Sequence, residues 1–399
     1  MQCVILAAGE GRRMRPLTAH RPKVMLPLAN RPMLEHLIVA ARDAGVSRFL
    51  LVVGYGEGEI RRQLGDGSGL GVEVEYVTQR HQLGTADALS TARDWVTGDF
   101  LLMNGDMVLE SADIGSLTRM GTPAVGIYPS PHPEDYGVVQ VEGDQVTGLQ
   151  EKSPHPAGNL VNAGIYHFSR DIFELVDRVE PSPRGEYELT DALTMLIEEG
   201  TLRGCRLASW IDVGYPWELL QANEVLMARI TPVVEGQVEE GVVMHGLVRV
   251  GAGSVLRSGT YIEGPCVIGH DCRVGPHAFI RGSTAIGDGC HIGHATEVKN
   301  SIILPRTNLP HFNYLGDSVV GSGCNFGAGT KVANLRHDHA PVRVMGRDTG
   351  RTKLGAIIGD GVQFGINCSV NVGAVIGPET RIAPHAVVDG IISGETEVR

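Results

Sequence analysis

The sequence predicts two architectures in one chain: an α/β half with a mostly parallel sheet over residues 1–228, and a parallel β-helix over residues 229–399. Three observations carry this. Through the first half, short apolar runs alternate with amphipathic stretches at helical spacing, the pattern of strands joined by helical crossovers. Through the second half, apolar residues recur at every sixth position, which is neither helical periodicity nor strand alternation. Glycine is abundant, 53 of 399 residues, and the corners of a six-residue repeat account for it. A chain of 399 residues also suits two domains.

The first element is Cys3-Val4-Ile5-Leu6, read as a buried strand. It runs into Ala7-Ala8-Gly9-Glu10-Gly11-Arg12-Arg13-Met14-Arg15, a glycine-rich turn dense in cations and closed by Arg21-Pro22-Lys23. Gly9 and Gly11 allow a tight bend that turns backbone N–H groups to a ligand, and the cations add fixed positive charge. Such a strand–loop unit is a phosphate cradle; the competing reading is a surface loop with solvated arginines. The spacing is not G-x-G-x-x-G and no G-K-[ST] follows, so neither a dinucleotide fingerprint nor a Walker loop is present. Leu34, Leu37, Ile38 and Ala41 then mark a helix that Gly45 ends. Phe49–Val53, Val72–Val77 and Phe100–Met103 are further strands. Ligands of parallel sheets sit at strand carboxyl ends. The opening loop, Gln79, Leu83-Gly84-Thr85-Ala86 and Asp106 all fall at such ends.

Asp106 follows a buried strand in Asn104-Gly105-Asp106, where it is either a ligand for a divalent cation or a helix N-cap. Asp212, in Trp210-Ile211-Asp212-Val213-Gly214, also ends an apolar run and could share one metal with it. Between them lie Tyr136-Gly137-Val138-Val139, Glu151-Lys152 and Asn162-Ala163-Gly164. Each is a polar, small-residue group of the kind that holds a hydroxyl-rich ligand, and each taken singly also reads as a β-turn.

Taken together, in this order, these motifs resemble the sugar-1-phosphate nucleotidylyltransferase family over residues 1–228. The resemblance implies a Rossmann-like fold and the reaction of a nucleoside triphosphate with a sugar-1-phosphate, giving a nucleotide sugar and pyrophosphate. It implies that Leu6, Ala8, Gly9 and Gly11 line the nucleotide and that Gln79, Gly84 and Thr85 contact its base. Arg13 and Lys23 would serve the reacting phosphates as catalytic cations, and Asp106 and Asp212 would hold Mg²⁺. Gly137, Glu151 and Asn162 would hold the sugar, with Lys152 near its phosphate. Arg12 departs from the small residue usual there and is expected to point outward.

From about residue 231 the six-residue period runs through Ile262, Ile268, Val274, Ile280, Ile286, Ile292 and Val298, with glycine after four of them. It resumes at Val320, Phe326 and Val332 and again from Ile358 to Ile382. The register shifts between Val298 and Val320, and a polar stretch from Leu335 to Lys353 is inserted. The pattern resembles the left-handed β-helix of hexapeptide acyltransferases, which implies a homotrimer or higher oligomer. The first interruption holds His311, and histidine is the side chain best matched to take a proton from an amine near neutral pH. The surrounding segment is similar to the acetyltransferase site of glucosamine-1-phosphate acetyltransferases, the insertion being closer to the archaeal type. That resemblance makes His311 the general base and gives the phosphate to Arg281 and Lys299. Tyr314, Asn325 and Asn334 would hold the amino sugar, and Ala328 would meet acetyl-CoA. Lys353 is a candidate for a further phosphate contact.

The function this predicts is acetylation of glucosamine-1-phosphate by acetyl-CoA, then Mg²⁺-dependent coupling to UTP or dTTP. One alternative keeps only a glucose- or mannose-1-phosphate nucleotidylyltransferase (dTTP, UTP or GTP), with the β-helix for assembly or regulation. Another is a non-catalytic subunit of a translation-factor exchange complex; the intact Gly9, Gly11, Arg13, Lys23, Asp106 and Asp212 argue against it. The formal net charge of −12 and the lack of a long basic tract argue against nucleic acid. No apolar run nears the roughly 18 residues of a membrane span, and no signal pattern opens the chain. The seven scattered cysteines point to a reducing, cytoplasmic compartment.

Overall fold

The structure, a computed structural model, describes residues 1–183 and 185–399. The chain separates into two compact units. One comprises Met1–Glu10, Pro22–Met25 and Met33–Asp212; the other comprises Gly11–Arg21, Leu26–Pro32 and Val213–Arg399. No helix among the described residues is long and apolar enough to cross a membrane.

The first unit is built on β1 (Gln2–Ala7), β2 (Arg48–Val53), β3 (Glu73–Thr78), β4 (Phe100–Asn104), β5 (Met107–Leu109), β6 (Ala124–Pro129), β7 (Val138–Glu142), β8 (Gln145–Gln150), β9 (Leu160–Phe168), β10 (Arg203–Arg206) and β11 (Trp210–Asp212). Nine of these form one mixed sheet in the order β3-β2-β1-β4-β9-β6-β10-β8-β7. β1 runs parallel to β2 and β4, and β2 parallel to β3, so their carboxyl ends share one edge. β9 enters antiparallel to β4 and β6. After Gln2, β1 is apolar because both faces are covered. Cys3 and Ile5 pack in the cluster with Leu37 and Ile38 of helix Met33–Asp43, and Val4 packs in the opposite cluster with Leu89. Outside the sheet, β5 and β11 form an antiparallel pair with Asp212 opposite Met107. Asp106 sits in the turn before β5, where no helix starts, so its N-cap reading falls.

The second unit is a left-handed parallel β-helix of three ladders with nine, nine and eight strands. The predicted hexad residues from Ile262 to Val298 are all fully buried and stack in one core. A coil is 18 residues long at first, with Val248 opposite Cys266 and Cys266 opposite Thr284. Where the sequence shows a register shift, the coil continues with one residue fewer: Ile302 lies opposite Val319 and Glu297 opposite Tyr314. Ile303, Leu309 and Leu315 keep the core filled there. The second interruption is a true excursion, because Val319 is opposite Ile357. It carries a short hairpin of Arg343–Val344 and Arg347–Asp348 and closes with Leu335 paired to Lys353. Glycine is required at the tightest corners: a Cβ on Gly293 would run into the Pro310 carbonyl of the next coil. All seven cysteines are buried as free thiols, five of them along the β-helix.

The cation-rich loop packs with this second unit. The glycine-rich turn holds a short 3-10 turn at Arg12–Met14, and Pro16 and Pro22 disfavour a longer helix there. Asp360 accepts hydrogen bonds from Arg21 at 3.0 and 3.1 Å and from the Ser322 backbone at 2.8 Å. Fully buried Asn223, on helix Glu218–Met227, accepts from the Ala29 N–H at 2.8 Å and donates to the Ser283 carbonyl at 2.9 Å.

Candidate active sites

At the carboxyl edge of the first unit, Lys23 is 7% exposed, and its ammonium is paired with the Asp106 carboxylate. The β5–β11 pairing sets Asp212 opposite Met107, the residue after Asp106, and Tyr136 donates its hydroxyl to Asp212 Oδ2 at 3.2 Å. Two hard carboxylates fit a divalent cation whose remaining ligands are phosphate oxygens and water. No group of three or more metal-binding side chains exists among the described residues, so such a cation would depend on its substrate.

Around this pair the other predicted residues gather in two groups. Gln79 is buried, and its amide donates to Asp87 at 2.7 Å and to the Gly84 carbonyl at 3.2 Å. Gly84 is held at φ 111 against the Tyr187 backbone, where a side chain would clash. Thr85 opens its helix and accepts from the Leu189 N–H at 2.9 Å. Gln82, which the sequence did not single out, donates to the Ala8 carbonyl, and Gly105 donates to that of Leu6. In the second group the Asn162 N–H donates to the Gly137 carbonyl at 2.9 Å. A Cβ at Gly137 would lie 3.6 Å from Glu151, so the glycine leaves that carboxylate uncovered. Asn162 donates to the Tyr166 hydroxyl, and Lys152 is exposed.

In the second unit Gly11 turns at φ 67, and Arg12 and Arg13 are exposed; Gly9 belongs to the first unit. The Arg13 guanidinium lies 5.1 Å from the Tyr215 ring centroid; that of Arg347, from the excursion, lies 4.8 Å from the same ring.

The β-helix brings its predicted residues to two neighbouring corners. At one, His311 ends its strand, accepts at its carbonyl from the Gly329 N–H, and stacks in register on His294. Ala328 follows in the next coil, and Asn325 is paired opposite Asn308. At the other corner Arg281 and Lys299 are register partners. They line a pocket of about 330 Å³ with Glu224, Glu263 and Asn300. Asn334 and Tyr314 crowd over Gly316, where a Cβ would stand 2.6 Å from the amide and 2.7 Å from the hydroxyl. Burial, then Glu297 and Asp317, raise the Tyr314 hydroxyl above its ordinary pKa of 10.0. Lys353 is exposed at the base of the excursion; Arg351, two residues earlier, instead reaches Glu224 at 2.5 Å. Sequence reasoning missed Asp317, Asn300, Glu224 and Arg351, which come together across as many as 127 positions with no local pattern to announce them.

Fold and sites together define a sugar-nucleotide type of nucleotidyltransferase joined to a hexapeptide β-helix. The Nucleotidyl transferase family profile matches residues 2–229 and the GMPPB C-terminal domain profile matches residues 262–392. "Bifunctional protein GlmU" of Methanocaldococcus jannaschii is 39% identical over 403 residues, covering 100% of this chain and 97% of the relative. "Bifunctional sugar-1-phosphate nucleotidylyltransferase/acetyltransferase" of Sulfurisphaera tokodaii is 35% identical, covering 98% of this chain and 97% of the relative. A putative glucose-1-phosphate thymidylyltransferase from Bacillus anthracis, solved with a sucrose, superimposes with a TM-score of 0.53 at 26% identity over 56% of this chain and 94% of its own. The chain belongs to the GlmU family of bifunctional enzymes, in which nucleotidyl transfer and acetyl transfer share one polypeptide.

Proposed function

We propose that the chain makes UDP-N-acetylglucosamine in two steps, with residues 1–228 serving nucleotidyl transfer and residues 229–399 acetyl transfer. In the first step the amine of glucosamine-1-phosphate attacks the thioester carbonyl of acetyl-CoA. His311 takes the amine proton, coenzyme A leaves as the thiol, and an amide results. Arg281 and Lys299 bind the sugar phosphate, Tyr314, Asn325 and Asn334 hold the sugar, and Ala328 borders the acetyl-CoA. In the second step a phosphate oxygen of N-acetylglucosamine-1-phosphate attacks the α-phosphorus of UTP in line and pyrophosphate leaves. Arg13 and Lys23 neutralise charge on the departing phosphates. Leu6, Ala8, Gly9 and Gly11 line the nucleotide, Gln79, Gly84 and Thr85 its base, and Gly137, Glu151, Lys152 and Asn162 the sugar phosphate. Asp106 and Asp212 would hold Mg²⁺, which would supply further charge neutralisation at the phosphates. The chain acts in the cytoplasm as a homotrimer joined through its β-helix.

The observation that carries this reading is the grouping of Lys299, Tyr314 and Asn334 at one β-helix corner beside the pocket lined by Arg281. A bare assembly domain has no use for it. The test supplies glucosamine-1-phosphate and acetyl-CoA to the purified chain and follows free coenzyme A thiol. UTP is then added and pyrophosphate measured. Thiol release followed by pyrophosphate, with UDP-N-acetylglucosamine identified by mass, is expected. Robust pyrophosphate release from glucose- or mannose-1-phosphate with no thiol release would instead establish the single-activity alternative.

A further inference from the structure

We propose that Asp317 is a positioning residue for acetyl transfer: its carboxylate fixes Lys299 and Asn334 in the arrangement that receives the amino-sugar phosphate. This rests on the function proposed above.

The Asp317 side chain is 3% exposed, yet it gathers three donors. Lys299 Nζ approaches Oδ2 at 3.2 Å, Asn300 Nδ2 donates to Oδ1 at 2.8 Å, and Asn334 Nδ2 donates to Oδ2. These donors come from two different coils and include both groups assigned to opposite ends of the substrate. A buried carboxylate is costly unless it is paired and hydrogen-bonded, so its presence calls for a reason.

The coil itself does not supply that reason. Position 317 is a corner in left-handed conformation, φ 49, and the equivalent corners of the two preceding coils are Asn300 at φ 42 and Ser283 at φ 61. Each of the three donates its N–H to the coil below: Ser283 to Pro265, Asn300 to Gly282 and Asp317 to Lys299. A neutral Ser or Asn therefore closes this corner, and the fold does not need the charge that appears at 317. The charge appears at the level where an ammonium and a carboxamide must be held in a fixed relation.

An outer brace keeps the arrangement in register. Asn300 Nδ2 also donates to Glu224 Oε1 at 2.9 Å, and that oxygen receives Arg351 from the excursion. A chain of contacts thus runs from Arg351 through Glu224 and Asn300 to Asp317. It gives the insertion at 335–353 a part in shaping the pocket.

The test uses the full chain carrying Asp317→Asn or Asp317→Ser, the residues that close the corner in the neighbouring coils. The KM for glucosamine-1-phosphate is expected to rise about tenfold or more, the size of one lost charge-assisted hydrogen bond. The KM for acetyl-CoA, pyrophosphate release from UTP and N-acetylglucosamine-1-phosphate, and the melting temperature are expected to hold. Calorimetric titration with glucosamine-1-phosphate should weaken in parallel. An unchanged sugar-phosphate KM in both variants overturns the assignment, as does a joint fall of melting temperature and both activities, which would make Asp317 structural. If the wild type releases no coenzyme A at all, the proposed function fails and this role with it; an active wild type with indifferent variants fails this role alone.

Discussion

The two units solve one problem, holding polar groups still beside a ligand, by opposite means. In the α/β unit the sheet supplies parallel strand ends, and irregular loops carry Gln79 and Asp106 there, with Lys23 in a short 3-10 turn and Asn162 near the start of β9. In the β-helix unit every coil is nearly the same, and chemistry appears where one position in the repeat changes its side chain. Asp317 in a corner otherwise filled by Ser283 and Asn300 is the clearest instance. A site made of loops can be lost by moving one loop. A site made of stacked corners rests on backbone bonds that every coil repeats, so a corner side chain changes while the N–H bond to the coil below keeps its place.

The largest test of this contrast is Lys23→Ala. Removing a buried cation paired with Asp106 should lower nucleotidyl transfer by about a thousandfold while leaving acetyl transfer intact. Measuring pyrophosphate and coenzyme A release on the same preparation checks both. Chelation of divalent cations should separate the activities in the same direction. Next is His311→Ala, expected to reduce acetyl transfer by about a hundredfold or more through loss of the general base, with pyrophosphate release unchanged. If either variant silences both activities, the two sites are not independent and the comparison breaks. A smaller effect is expected of Gly293→Ala, whose methyl group would press on the Pro310 carbonyl one coil away. It should lower stability by about 1–3 kcal/mol in denaturant titrations, as overpacking does.

The smallest effect concerns His167 on β9. Burial lowers its pKa below the ordinary 6.5, its Nδ1 faces the Gly121 carbonyl at 3.2 Å, and its Nε2 is buried without a partner. Below pH about 6.5 the unfolded chain takes a proton that the folded chain refuses, so stability falls as pH drops from there toward the lowered folded value. Above that window the ring is neutral in both states and contributes no slope. His167→Leu should flatten this part of the pH–stability curve, as melts at a series of pH values would reveal.

Much of this was legible in the sequence for the same reason that it is periodic. β1, β2 and β4 are mostly apolar runs because both faces are buried, and β4 runs straight into Asn104-Gly105-Asp106; β3 alternates instead, with Glu73 and Glu75 exposed. The hexads announced the β-helix. The shortened coil was harder: losing one residue between Val298 and Ile303 hides the core positions Ile303, Leu309 and Leu315 from a six-residue count, though packing continues unbroken. Asp106 was ambiguous because a carboxylate after a strand also caps helices, and only the turn into β5 removes that choice. Arg351, Glu224, Asn300 and Asp317 were invisible because their meeting depends on where coils stack, which no local spacing encodes.

The buried cysteines carry a practical consequence. Burial pushes the thiols of Cys266, Cys290 and Cys324 up to about 12 and raises those of Cys272 and Cys368, so none presents a thiolate to an alkylating reagent while its coil is closed. Spread from Cys266 to Cys368, they form a set of silent labels along the coil axis. The order in which they become reactive in mild denaturant would read out whether this column frays from an end or opens all at once.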